Sequence, residues 1–221
     1  MTCCEGWTSC NGFSLLFLLL FGVILNAVPL VISTLEGNKA LENPISCFEW
    51  WFPGIIGAGL MAIPATTMSL SARKRACCNH KTGMLFSSLT NVLTVVGAVY
   101  CILVSTQALL AGPLICNPQH NSTANCKFSL KDLDDFNLKS FNLEWFLSNS
   151  CVQDASSNSS VARAHGLHFD SKEKMYRMVH FSVFLGLLLV GSLEVLFALS
   201  QMVIGFLGCL CGVSRQRSRI V

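Results

Sequence analysis

Charged residues are scarce in this chain of 221 residues: Asp, Glu, Lys and Arg make up 12% of it, about half of their share in an ordinary soluble domain. Hydrophobic residues make up 52%, and a water-soluble fold could not cover that much apolar surface. The formal net charge is only +3, so nothing indicates a nucleic-acid partner. The scarcity of charge excludes a soluble domain and favours a protein of the lipid bilayer.

Four long runs without charge have the length that crosses a bilayer as a helix. The first run differs from a signal peptide, because its apolar stretch is longer, no basic region precedes it, and Asn26 and Pro29 do not fit a small-residue cleavage site. We therefore predict an all-α membrane protein, a four-transmembrane-helix bundle with a large disulfide-stabilised extracellular or lumenal loop. The predicted parts are an amino-terminal segment 1–12, span 13–35, small outer loop 36–50, span 51–71, basic loop 72–83, span 84–110, large outer loop 111–178, span 179–210 and tail 211–221.

Two independent patterns predict the orientation of the spans. Basic residues without acidic neighbours mark a cytoplasmic segment, and the segment after the second span contains Arg73, Lys74, Arg75 and Lys81. The large loop contains the N-glycosylation sequons Asn121-Ser-Thr and Asn158-Ser-Ser, which are used only outside the cytoplasm. Both patterns place the two termini in the cytoplasm and the large loop outside or in the lumen.

The first span alone favours the opposite orientation. No Lys or Arg precedes it, whereas Lys39 lies just beyond it. We therefore predict a finely balanced topology, in which lipid composition or charge mutations invert some of the molecules.

Four of the twelve cysteines fall in the predicted outer loops. They form an even set in an oxidising compartment, which predicts two disulfides and leaves three pairings open. Since only one of the four belongs to the small loop, a fully paired set must join the two loops. The set is Cys47, Cys116, Cys126 and Cys151.

Paired cysteines also lie at the predicted cytoplasmic ends of the helices, where reversible S-palmitoylation occurs. They are Cys3, Cys4, Cys77 and Cys78. A zinc site that adds His80 to the second pair is the alternative, but adjacent cysteines do not have the usual ligand spacing. We predict no metal and no cofactor.

Glu194 is the only acidic residue well inside a predicted span, where a charge costs several kcal/mol unless it is neutralised, paired or hydrated. One interpretation is a neutral or hydrogen-bonded carboxyl group that faces Asn26, Asn91 or Gln107; the other is a role in proton coupling or partner recognition. Cys101 is interpreted as a small packing residue. The remaining polar candidates, the histidines at 165, 168 and 180, are interpreted as scattered surface residues.

Small residues recur every four positions in the second span, at Gly54, Ala58 and Ala62. They leave one helix face without bulky side chains, so another helix can approach closely. The face serves either the packing of the chain's own bundle or a homo-oligomer.

Several segments resemble the transmembrane four L-six family, namely Thr2-Cys-Cys-Glu-Gly, Phe48-Glu-Trp-Trp-Phe-Pro-Gly, Arg73-Lys-Arg-Ala-Cys-Cys-Asn and Ala111-Gly-Pro-Leu-Ile-Cys. The resemblance implies a tetraspanin-like protein with four spans, cytoplasmic termini and one large glycosylated outer loop. The Cys-Cys-Gly sequence of true tetraspanin loops is absent from the chain, which argues against that family.

The resemblance further implies a scaffold or regulator that associates laterally with receptors, adhesion molecules or membrane-bound precursors. It supplies no catalytic residue, and we expect no enzymatic activity. The alternative function is a small oligomeric channel or transporter that uses Glu194. The arginines of the tail fit either retention in the endoplasmic reticulum or attraction to anionic membrane lipids, so both that organelle and the plasma membrane remain open.

Overall fold

The computed structural model of the chain describes residues 3–35, 48–72, 81–113, 146 and 166–217. These residues are almost entirely helical, and none of them belongs to a strand. The α-helices are α1 (Cys3–Leu35), α2 (Ile63–Ala72), α3 (Lys81–Ala111) and α4 (Gly166–Arg217).

Four helical stretches are long and apolar enough to cross a membrane: Ser9–Ile32, Pro53–Ser71, Phe86–Ala111 and Lys174–Phe206. The prediction of an all-α membrane protein with four spans is therefore confirmed. The helix that carries the fourth span is longer than the span itself. It has 52 residues, whereas about 20 are enough to cross the hydrocarbon core, and it includes residues 166–178 that were predicted to belong to the outer loop.

The second span changes its helix type along its length. A 3-10 turn (Phe48–Trp51) is followed by a π-helix (Pro53–Gly59), a second 3-10 turn (Leu60–Ala62) and then α2. The π-helix has the sequence PGIIGAG, and its glycines favour an α-helix only weakly. Irregular backbone is tolerated at membrane depth where protein surrounds it, and five of the seven π-helical residues are buried.

The chain divides into two compact units. The first contains Met1–Ile24, Pro53–Ile102 and Leu187–Val221, and the second contains Leu25–Phe52 and Leu103–Gly186.

Glycines mark the closest helix contacts in the first unit. A Cβ added to Gly57 would lie 2.7 Å from the carbonyl O of Gly97, so the second span and α3 touch backbone to backbone. A Cβ on Gly22 of α1 would lie 2.9 Å from the Cβ of Ala58, and Ala58 and Ala62 are fully buried. The small-residue face of the second span thus packs within the chain's own bundle, as the first of the two interpretations expected.

The second unit contains the end of α3. Gly112 adopts a φ of 71°, a left-handed conformation that ends helices, and its amide donates to the carbonyl of Ala108 at 3.0 Å. The part of α4 in this unit buries Tyr176, Val183 and Phe184.

Candidate functional site: buried polar groups of the helix bundle

Glu194 lies on α4 in the first unit, and its side chain is 0% exposed. Neither carboxyl oxygen accepts a hydrogen bond within the part of the chain that the structure describes. Asn91, which lies in the same unit, therefore does not donate the hydrogen bond that one interpretation allowed, and a neutral carboxyl group stays a prediction. A buried carboxyl group without a protein donor is free to take up a proton, a cation or water, which makes Glu194 the chemically most distinctive residue of the first unit.

A second polar group in the first unit joins three helices. Gln201 of α4 donates from Nε2 to the Oγ of Ser69 on α2 at 2.6 Å. Asn11 of α1 donates from Nδ2 to the Oε1 of Gln201 and to the Oγ of Ser200, both at 3.2 Å. Such interhelical bonds average about 0.6 kcal/mol in a bilayer, so this network fixes the register of the three helices more than it adds stability. Sequence reasoning missed it.

The second span and α3 are also linked by polar contacts. The hydroxyl of Thr94 on α3 lies 3.4 Å from the carbonyl O of Met61 in the 3-10 turn and 3.3 Å from the carbonyl O of Thr90.

Cys101 of α3 is fully buried, and its Sγ lies 3.6 Å from the carbonyl O of Leu187 on α4. The role of Cys101 as a small packing residue fits this position.

The second unit contains a buried histidine that the sequence did not reveal. His180 is 0% exposed, and its Nε2 lies 2.9 Å from the carbonyl O of Ala108. The interpretation of His180 as a surface residue is wrong, because its ring binds one of the last carbonyl groups of α3 instead of facing water. This carbonyl also accepts the amide of Gly112.

Phe146, which lies in the predicted outer loop, contacts α4 in the second unit. Arg177 donates from Nη2 to the carbonyl O of Phe146 at 3.0 Å. The ring of Phe146 stacks on that of Phe181, with centroids 4.2 Å apart. A charged hydrogen bond and an aromatic contact thus hold Phe146 against α4.

Most of the other predicted site residues lie outside the described part of the chain. These are Asn121, Asn158, Cys47, Cys116, Cys126, Cys151, Cys77, Cys78, Arg73, Lys74 and Arg75. Cys3, Cys4 and Lys81 lie within the helices α1 and α3, where their backbone is described but their side chains are not. Among the described residues, no group of three or more His, Cys, Asp and Glu side chains could hold a metal ion.

The family model of the L6 membrane protein matches residues 2–215. The chain is 67% identical to Transmembrane 4 L6 family member 20 of Homo sapiens and 64% identical to the protein of that name from Bos taurus, with full coverage of both chains in each case. It is 26% identical to Transmembrane 4 L6 family member 1 of Homo sapiens, with 92% of this chain and 91% of the relative covered. No solved structure matches it significantly. The chain therefore belongs to the L6 membrane protein family, a tetraspanin-like family of multi-pass membrane proteins.

Proposed function

We propose that this protein is a non-enzymatic scaffold or regulator that associates laterally with other integral membrane proteins and affects their trafficking, signalling or proteolytic processing. Its partners are receptors, adhesion molecules or membrane-bound precursors. The proposal includes the topology predicted from the sequence, with a glycosylated outer loop and palmitoylated cytoplasmic cysteines, and residence in the endoplasmic reticulum or the plasma membrane.

A row of aromatic side chains on α1 is the observation that carries this proposal. Phe13, Phe17 and Phe21 are 50%, 67% and 42% exposed, and they follow one another at intervals of four residues. The rings of Phe17 and Phe21 stack with centroids 6.2 Å apart. Bulky rings that project from a membrane helix can fill the groove of another helix, and van der Waals packing drives association in the bilayer. The row therefore supports a lateral contact with a second membrane protein.

Site-specific photo-crosslinking in living cells tests the lateral contact. A photoreactive amino acid at position 17 should produce discrete cross-linked protein species, because Phe17 is 67% exposed. The matched control places the same amino acid at Leu15, which is 0% exposed on the same helix, and should produce none. The partner's trafficking or cleavage should then change on removal of this chain, and wild type should restore it better than the Phe17→Ala, Phe21→Ala variant. Cross-links to lipid alone at position 17 would contradict the proposal.

The alternative of a channel or transporter rests on the buried, unbonded carboxyl group of Glu194. Cation flux into liposomes that contain the purified protein is the test. Flux that Glu194→Gln abolishes would favour transport over scaffolding, and no flux above that of empty liposomes would remove this alternative.

A further inference from the structure

Two groups of contacts align the second span with α4 in the first unit. In one group, a Cβ on Gly22 of α1 would lie 2.9 Å from the Cβ of Ala58 and 3.5 Å from the Cγ1 of Val190. In the other, Gln201 of α4 binds Ser69 of α2. Eleven positions separate Ala58 from Ser69 on the second span, and eleven separate Val190 from Gln201 on α4. The second span and α4 therefore run parallel to each other between these contacts.

Glu194 lies between the two contact groups, four residues after Val190 and seven before Gln201. On the second span, Ala62 lies four residues after Ala58 and seven before Ser69, so it occupies the same level as Glu194. Ala62 is fully buried and ends the 3-10 turn that follows the π-helix. The carboxyl group of Glu194 is thus level with the change of helix type.

Two more oxygen atoms lie at this level. Thr94 of α3 is fully buried, and its hydroxyl is 3.4 Å from the carbonyl O of Met61, the residue before Ala62. The same hydroxyl is 3.3 Å from the carbonyl O of Thr90. Its single proton is shared between two carbonyl groups, so its lone pairs stay available to a further partner. A carboxyl, a carbonyl and a hydroxyl oxygen from three helices therefore lie at one level of the first unit.

We propose that Glu194, Thr94 and the carbonyl group of Met61 form a binding site for one monovalent cation of the sodium class. Hard cations prefer oxygen ligands, and water can complete their coordination. One monovalent cation neutralises one carboxylate, whereas a divalent ion would leave an uncompensated charge at membrane depth, which is costly. Interrupted helices supply cation ligands at the middle of a membrane in the same way in secondary transporters.

The cation site goes beyond the proposed scaffold function and does not require transport. A bound cation would join α3, α4 and the second span at the irregular part of that span. The site would make the packing of these helices dependent on the cation. A proton on Glu194 is the competing occupant, since it also removes the charge of the carboxylate.

Thermal unfolding of the purified full-length protein in lipid nanodiscs tests the site. Sodium chloride is exchanged for choline chloride at constant pH and ionic strength. Sodium at about 100 times its dissociation constant should raise the unfolding temperature by about 5 °C or more. The rise should vanish in Glu194→Gln and shrink in Thr94→Val. The matched control is Thr67→Val, because the hydroxyl of Thr67 is exposed and binds only its own helix at Pro64; it should keep the full rise.

Three outcomes would overturn the cation site. The first is equal unfolding temperatures of the wild type in sodium and choline. The second is an equal sodium effect in wild type and Glu194→Gln. The third is an unfolding temperature that changes with pH but not with sodium, potassium or lithium, which would identify a proton as the occupant. If Glu194→Gln does not fold, Glu194→Asp replaces it, and its shorter carboxylate should shift half-saturation to a higher sodium concentration.

Discussion

Gln201 is the residue at which the hydrogen bonds of Asn11 and Ser69 meet in the first unit. Its amide group donates to Ser69 and accepts from Asn11. An amide in an apolar environment is stable only when it is hydrogen-bonded. The side chain is therefore tolerated inside the bundle because two other helices supply its partners.

Replacing Asn11 with leucine should destabilise the protein, because the Oε1 of Gln201 loses its donor. We expect a loss of about 1 kcal/mol in the free energy of unfolding, measured by denaturant titration in mixed micelles. The control Thr67→Val removes an exposed hydroxyl bonded within its own helix and should change stability by less than about 0.5 kcal/mol. In a double-mutant cycle with Gln201→Leu, strictly additive losses would show that the two residues do not interact.

The sequence indicated that Glu194 is unusual, but it did not indicate the hydrogen bonds among Asn11, Gln201 and Ser69. An acidic residue inside a long apolar run is conspicuous because its charge is costly there. Asn11 and Ser69 lie near or beyond the ends of predicted spans, where polar residues are ordinary. Hydrophobicity shows that a side chain is polar but not which helix it faces. The same limit explains the error at His180, whose partner Ala108 is 72 positions away in the chain.

The crossing of the second span and α3 is the tightest helix contact among the described glycines. A Cβ on Gly97 would lie 2.5 Å from the carbonyl O of Gly57 and 2.6 Å from the Cβ of Met61. Neither atom can move aside by a side-chain rotation, because one belongs to the backbone and the other is attached to it. The two helices can approach this closely only because both positions are glycine.

Replacing Gly97 with alanine should therefore separate the two helices and lower the free energy of unfolding by about 1–3 kcal/mol. The control is Gly186→Ala in α4, where the added Cβ would meet the Cδ1 of Leu25 at 2.7 Å. That atom is the tip of a flexible side chain, so the leucine can change rotamer and the loss should be smaller. Equal unfolding temperatures of Gly97→Ala and wild type in a thermal denaturation series would contradict the tight crossing.

At the scale of whole helices, the sequence predicted the four spans because length and hydropathy alone decide whether a segment crosses a bilayer. The change of helix type along the second span was not predicted. Hydropathy does not depend on the pattern of backbone hydrogen bonds, so it cannot distinguish a π-helix from an α-helix. Glycine and proline weaken an α-helix, but they do not specify a π-helix in its place. Pro53 and the three glycines of the π-helix were the available indication.

The orientation of the whole molecule is predicted to depend on the basic segment that joins the second and third spans. Changing Arg73, Lys74 and Arg75 to glutamate should invert part of the population, because positively charged loops stay in the cytoplasm. The readout is glycosidase sensitivity, with the double variant Asn121→Gln, Asn158→Gln as the unglycosylated reference. Glycosylation of the wild type should be lost in the inverted fraction. Unchanged glycosylation after charge reversal would refute the idea of a finely balanced topology.

The bond between His180 and Ala108 has a consequence for the 72-position stretch of chain that it closes. Bringing the ends of such a segment together from a free chain would cost about 4 kcal/mol in conformational entropy, apart from a constant. The packing of α3 against α4 in the second unit meets this cost. A disulfide within the predicted outer loop would cross-link a segment whose two ends the helices already hold together, so it would remove less conformational entropy than the same disulfide in a free chain.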